Sequence, residues 1–535
     1  MAEKGITKEK LNNSTDFNQW LVLCFCFVVT LIFMFFFGIN SPLHRFNPQC
    51  DYNWYITMGR GIISGKVPYR DLFDHKGPIT YFVFAIAALF PNYQFVVWCI
   101  EIVCITLFVY FAYRIARKFL SCWLSLATIP LLTMVLSTNF CRLLSGSCVE
   151  ELCLPIFAYG LLCFLGFLMD RRPATWRRSL ALGICLGILF WVKFSMWEFF
   201  LMPMLIWLVI NLVHRNFLVI LRTGLIILAG VLLVTLPVLI YFGVNGALGE
   251  LWQTYFQLNL GSYSGNYSGL TETEMIARRW KNALWIFTLG AYFMFAFVLG
   301  IVGFAIQYWR QKSGWLMLIA VIPTWLLVGF FCGFEHYYIP FFTYTILGVI
   351  YFVKLGVKLI LYFAHKLNIP YGRLWVKYLV SGLFVIVCFF CALPFVLNLS
   401  EINRPRENYA PLVFADMVTE YKVNTGNSPT LFCYNMIDYG FYNAVGVVPN
   451  VKYYARSAFM PDVFPEMFEA FDETIRNQVC DFVVVRSGDL DEKKEFLLNY
   501  YDFYKGTQKE STINYSYFDD SQKYVKVKFI VLFRK

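Results

Sequence analysis

Charge is what this chain has least of for its size. Asp, Glu, Lys and Arg make up only 15% of its 535 residues, against 59% for hydrophobic residues. A soluble protein of this length would need far more charge on its surface, so that class is excluded. The sixteen cysteines form no paired CxxC set of the zinc-binding kind. Those in apolar runs, such as Cys24, Cys26, Cys388 and Cys391, read as small core hydrophobes. No internal repeat of useful strength is present, which argues against a repeat-built transporter. A short cleavable leader is not expected either: the polar run up to Trp20 is too long to look like one, so the first apolar segment is read as a retained span.

What is present is hydrocarbon-length apolar sequence. A span needs about 20 apolar residues. The candidates are 20–39, 93–113, 119–138, 151–169, 179–195, 196–212, 217–242, 282–306, 314–333, 337–353 and 378–397, about eleven helices by that length rule. The formal charge of +11 belongs in cytoplasmic loops rather than on a nucleic-acid surface. Basic connections such as "RIARK", "DRRPATWRR", "HRN" and "YWRQK" follow the even-numbered spans. With an odd number of spans, the N-terminal tail (1–19) is then cytoplasmic and the C-terminus extracytoplasmic.

The expected organisation is an α-helical polytopic membrane domain over 20–397, followed by an α/β domain over 398–535. The outer loops cover 40–92 and 243–281. Strand-like runs "TLFCYN" (430–435), "DFVVVRS" (481–487) and "KVKFIVLF" (526–533) alternate with helix-like stretches near 407–422 and 464–478. That tail has no GxGxxG or P-loop, so no nucleotide is expected there. In the first outer loop, residues 51–64 put Trp54, Tyr55, Met58 and Ile62 on one helical face, as for a helix lying along the bilayer. "ITYFVFAIAALF" is too short to cross and reads as an interfacial or re-entrant helix.

That loop also breaks the positive-inside tendency. It carries Arg45, Arg60, Lys66, Arg70 and Lys76, with His44 and His75 beside them. Lys and Arg in this number suit an anionic phosphate group, or anionic lipid headgroups. Asp51, Asp71 and Asp74 share the loop. A carboxylate beside a phosphate-binding cluster suits a general base that deprotonates an attacking hydroxyl. Asp51 also suits a helix cap, and Asp71 and Asp74 suit local pairing with Arg70, His75 or Lys76.

An Asp opening a surface helix, followed by "MGRGIISGKVPYRDLFDHKGPITYF", resembles the first periplasmic loop of the family-C (GT-C) glycosyltransferases. These include the aminoarabinose transferases and the protein O-mannosyltransferases. The resemblance implies transfer of a sugar from a polyprenyl-phosphate carrier to an envelope glycan, lipid or protein, on the outer face of the membrane and with inversion. Asp51 matches the first acidic position of the family pattern, whereas Tyr52 departs from the paired form. Lys76-Gly77-Pro78 is similar to the segment that contacts the carrier phosphate in relatives. "GFEHYYIP", with Glu335, His336 and Tyr337, resembles the family's His-Tyr segment before a late helix.

Further candidates lie outside the first loop. Glu150 and Glu151 stand at the mouth of the fourth span, where Glu150 also has capping-box spacing from Ser147. Lys193 sits in an apolar run, where an ammonium needs a partner; it would reach the phosphate or pair with Glu198. Arg278 and Arg279 would add to carrier binding. The expected assignment makes Asp51 the base and Lys76, Arg60, Lys193 and Arg279 the phosphate ligands. Asp71, Asp74, His75, Glu150, Glu151, Glu335, His336 and Tyr337 take acceptor or supporting places. No cofactor is read from the sequence, and a divalent metal stays open. Two rivals remain at this stage: a transporter or flippase for a lipid-linked or anionic substrate, and a non-catalytic envelope-assembly protein.

Overall fold

The computed structural model describes residues 17–136, 146, 148–170, 175–261, 270–288, 290–331, 335–366, 382, 404–457, 459, 461–518 and 524–535. The chain enters the bundle with α1 (Gln19–Phe37), whose first turn is capped by Asn18 accepting from the Trp20 N–H. The segment after α1 then forms α2 (Cys50–Ile63) and α3 (Pro78–Ala88). Proline at the first position of α3 lacks only an N–H that the helix would not use.

The bundle continues through α4 (Tyr93–Ala116), α5 (Cys122–Leu136), α6 (Leu154–Asp170), α7 (Trp176–Lys193), α8 (Glu198–Val213) and α9 (Phe217–Val244). Beyond it come α10 (Glu272–Leu284), α11 (Ala291–Gln307), α12 (Ser313–Phe331) and α13 (Phe342–Lys366). Among the described residues six apolar helical stretches are long enough to cross a membrane. A seventh arises if the pair Glu272–Phe287 and Ala291–Gln307, bent by 91°, is one span. The span expected over 282–306 falls on this bent pair, and of the span expected at 378–397 only residue 382 is described.

One of those stretches, Trp176–Val213, folds back on itself. Helices α7 and α9 pack in parallel: Gly183 lies against Ile227, Gly187 against Val231 and Val234, and Trp191 donates to Thr235 at 3.0 Å. Parallel neighbours require the chain to return between them, and α8 makes that return. The reversal uses a 3₁₀ turn over Phe194–Trp197, which brings the Trp197 indole N–H back to the Leu186 carbonyl at 2.8 Å. A Cβ on Gly183 would stand 2.2 Å from the Ile227 carbonyl oxygen. The small residue is what lets the two backbones touch.

The C-terminal region carries α14 (Ala410–Thr425), α15 (Phe441–Val445), α16 (Pro465–Arg476) and α17 (Ser487–Tyr500) around one mixed sheet. Its strands are β1 (Leu431–Cys433), β2 (Phe482–Arg486), β3 (Tyr501–Phe503), β4 (Thr512–Phe518) and β5 (Tyr524–Arg534). Strand β1 pairs parallel with β2, and β5 runs antiparallel to β2, β3 and β4. Central β2 is buried along Phe482–Val485, as its unbroken apolar run requires.

Helix α2 is the main departure from expectation. Tyr52 to Gly59 are all buried, so it has no solvated face and does not lie along the bilayer. It is enclosed between α3 and the C-terminal region. The Trp54 ring meets Tyr454 at 5.3 Å, and Asn443 donates to the Asn53 carbonyl at 2.8 Å. Residues before α2 add a polar chain into the bundle: Asn47 donates to Asn40, which donates to Glu101. Burial is affordable for these amides because each finds a partner.

Candidate active site

The stretch from Lys66 to Thr80 is a built structure rather than an open loop. Asp71 accepts from the Val67 N–H at 2.7 Å and closes a turn around Tyr69. Two buried tyrosines then hold the backbone of Lys76: Tyr69 and Tyr81 both donate to its carbonyl, at 2.5 and 3.0 Å. Asn259 donates to the preceding carbonyl, that of His75, at 2.7 Å. Gly77 sits directly on the end of α7, donating to the Val192 carbonyl at 3.1 Å. A Cβ there would meet the Trp191 carbonyl oxygen at 2.0 Å, a contact no side chain can tolerate. Gly77→Ala is expected to cost about 1–3 kcal/mol through this overpacking. It should lower the thermal unfolding midpoint in detergent; an unchanged midpoint would mean the seat relaxes freely.

That contact brings Lys76 to the end of α7, where Lys193 stands. Lys193 Nζ lies 2.5 Å from Glu150 Oε1, with side-chain exposures of 11% and 2%. The sequence offered Glu198 as its partner, but the fold supplies Glu150 from another helix. The same ammonium lies 3.3 Å from the centre of the Tyr337 ring. A cation over an aromatic face in a desolvated site is worth about 2 kcal/mol. His336 stacks on Tyr337 with ring centres 4.9 Å apart, and its Nε2 is 4.0 Å from Glu150 Oε1. Burial alone would raise the Glu150 carboxyl, but Lys193 and His336 hold it below the usual carboxylate range, so it is ionised.

His75 and Asp74 complete the wall. The His75 ring is held between Asp74 Oδ1 at 3.3 Å and Ser457 Oγ at 3.2 Å, both on Nδ1, while Lys76 Nζ stands 3.5 Å from Nε2. Burial and the Lys76 charge push the imidazole below its ordinary value, so it is neutral at pH 7. The proton belongs on Nδ1, facing Asp74, which leaves the Nε2 lone pair towards the ammonium. Asp74 itself is held low by His75 and Lys76, against its burial.

Asp51 occupies the first turn of α2 and caps nothing; the cap position is Gln49. Burial pushes its carboxyl above the usual range, Asp74 and Glu150 add to that, and Lys76 and Lys193 oppose it. One carboxyl thus feels both lysines and both neighbouring carboxylates. It stands half-buried at a point where α2, the Lys76 loop, α7 and the segment before α6 converge.

Not every expected residue joins this group. Arg60 lies under the C-terminal region, 3.5 Å from the Tyr442 carbonyl, away from the phosphate-ligand place expected for it. Asp71 is taken by its turn and by an exposed pair with Arg70 at 2.9 Å. Glu151 turns into the bundle beside Glu101. Arg279 lies 5.9 Å from the Phe331 ring, at the end of α12. The Glu335 side chain and Ser147 lie outside the described residues, as do residues 262–269. Ser457, Tyr69, Tyr81 and Asn259 carry no sequence signal of their own. Only their contacts with His75 and Lys76 in the folded chain single them out. Among the described residues, no three His, Cys, Asp or Glu side chains are grouped to hold a metal.

The family of dolichyl-phosphate-mannose-protein mannosyltransferases matches residues 75–241, a segment that opens at His75 and includes Lys76, Glu150 and Lys193. No curated protein matches the sequence at significant similarity. Among solved structures, the chain is similar to ArnT from Cupriavidus metallidurans bound to undecaprenyl phosphate. The TM-score is 0.57 at 13% identity, over 96% of this chain and 97% of that one. It is also similar to the archaeal oligosaccharyltransferase AglB from Archaeoglobus fulgidus in complex with an inhibitory peptide and a dolichol-phosphate. There the TM-score is 0.53 at 12% identity, over 95% of this chain and 74% of that one. The chain is a multi-pass membrane protein with the fold of the GT-C glycosyltransferases.

Proposed function

We propose that this protein transfers a sugar from a polyprenyl-phosphate donor to an envelope glycan, lipid or protein on the outer face of the membrane. The observation that carries the proposal is the meeting of two lysines from separate elements in the neighbourhood of Asp51: Gly77 seats the Lys76 loop on the end of α7, where Lys193 stands 2.5 Å from buried Glu150. The likeness to a structure that holds undecaprenyl phosphate supports the donor class.

In this reaction the Asp51 carboxylate takes the proton of the acceptor hydroxyl. The hydroxyl oxygen bonds to the anomeric carbon as the bond from that carbon to the phosphate oxygen breaks. Polyprenyl phosphate leaves with the electron pair, and one in-line displacement inverts the anomeric centre. Lys76 and Lys193 stabilise the charge that develops on the leaving oxygen. Glu150, His336 and Tyr337 hold the Lys193 ammonium in place. Neutral His75, fixed by Asp74 and Ser457, does the same for Lys76. With the site on the outer face, the N-terminus is cytoplasmic and the C-terminal region covers the site from outside.

The test is mass spectrometry of envelope glycans and glycolipids from cells with and without the gene, complemented by wild type and by Asp51→Asn. A species lost in the deletion, restored by wild type and not by the variant, is the expected result. Identical profiles in all strains would remove the proposal.

A further inference from the structure

The bundle also has a charged cavity, at the end of α7 opposite Lys193. It encloses about 350 Å³ between the C-terminal ends of α4 and α6 and the start of α7. Arg178, on its rim, is 15 positions before Lys193 on α7, which is roughly 22 Å along a helix axis. The two sites therefore face opposite membrane surfaces.

Four cations line this cavity, Arg114, Arg117, Lys118 and Arg178, against one carboxylate, Asp170. Asp170 is already paired with Lys118 at 2.9 Å. The group carries a net formal charge of +3, from four cations less one anion. Arg114 and Arg117 close α4, where the helix dipole favours cations and explains them. It does not explain Arg178, which sits in the first turn of α7, at the end that disfavours a cation. Nor does Arg178 have a carboxylate partner among the described residues. Like charges gathered around one concave space repel each other unless an anion joins them.

The floor is apolar. Phe111 and Leu162 line it, and a Cβ on Gly166 would meet nothing within 4 Å. At the rim, exposed Trp176 carries Arg177 over its ring at 5.4 Å, the pairing expected at the level of lipid headgroups. We propose that this cavity binds a phosphate group, that of an anionic phospholipid in the leaflet remote from Asp51. Guanidinium groups over an apolar floor at headgroup depth match a phosphodiester attached to acyl chains. The proposal is independent of the sugar-transfer reading.

Native mass spectrometry of the full chain, with phosphatidylglycerol or phosphatidylcholine supplied, tests this. Wild type is expected to retain phosphatidylglycerol preferentially, and Arg178→Gln together with Arg114→Gln to weaken retention at least tenfold. Gly166→Leu, which fills the floor and keeps every charge, is expected to weaken it as well. Unfolding midpoints near that of wild type show that both proteins are folded. Should the double substitution disturb folding, Arg178→Gln alone, on an exposed side chain, still reads the site. Equal retention by wild type and folded variants overturns the proposal. So does phosphate-dependent thermal stabilisation of wild type, absent in the variants, with no preference among lipids, since that outcome assigns a soluble phosphate.

Discussion

Asp51→Asn is expected to lower sugar transfer by roughly 10²- to 10⁴-fold, the range a general base supplies, while the protein folds and inserts normally. The amide keeps the size and polarity of the side chain but cannot take a proton. The pH dependence of the wild type is the companion result. Burial raises the Asp51 carboxyl, Asp74 and Glu150 add to it, and Lys76 and Lys193 only partly oppose them. The base is active when deprotonated, so transfer rises with pH, and the midpoint of that rise lies above the ordinary carboxylate range. In the kcat/KM profile with a polyprenyl-phosphate sugar, an acid limb at or below an ordinary carboxylate value would place the base elsewhere. Substantial transfer by the Asn variant would do the same.

The second large effect concerns Lys193. Lys193→Met is expected to cost about 3–5 kcal/mol of stability, because Glu150 would be left as a buried charge without its main partner. It should also reduce transfer by about 10²- to 10³-fold, the loss typical of one group that stabilises developing negative charge. Adding Glu150→Gln separates the two losses. The double variant is expected to recover most of the unfolding midpoint, since no uncompensated charge remains, and none of the transfer. Recovery of both would make the pair purely structural. Recovery of neither would mean that Glu150 holds more than Lys193.

The comparison of Asp51 with Lys193 also shows which parts of the site were legible in the sequence. Asp51 and Lys76 stood in a loop whose charge contradicted the surrounding hydrocarbon, but it was the resemblance to the family pattern that set them apart from Asp71, Asp74 and the other cations of that loop. Lys193 was visible as a cation in an apolar run, but its partner was not. Glu198, five positions on, was the local choice, whereas Glu150, 43 positions earlier, reaches it because the segment before α6 meets the end of α7. Arg60 belongs to the same basic loop, and only the fold shows that α2 carries it to the Tyr442 carbonyl.

Sequence by itself determined the membrane class, the apolar helices and the strands β1, β2 and β5, because these follow from composition and local periodicity. Strands β3 and β4 and the burial of α2 did not follow from it. β3 (YDF) and β4 (TINYSYF) lack the apolar run that marks β2 and β5, and an amphipathic pattern does not say whether a second domain covers the polar face. Tertiary structure alone decided which charges meet. Lys76 is set by Tyr69, Tyr81 and the contact of Gly77 with α7, and His75 by Ser457 from the far end of the chain. Those partners are separated by up to 382 positions, and nothing local in a sequence encodes a contact at that range.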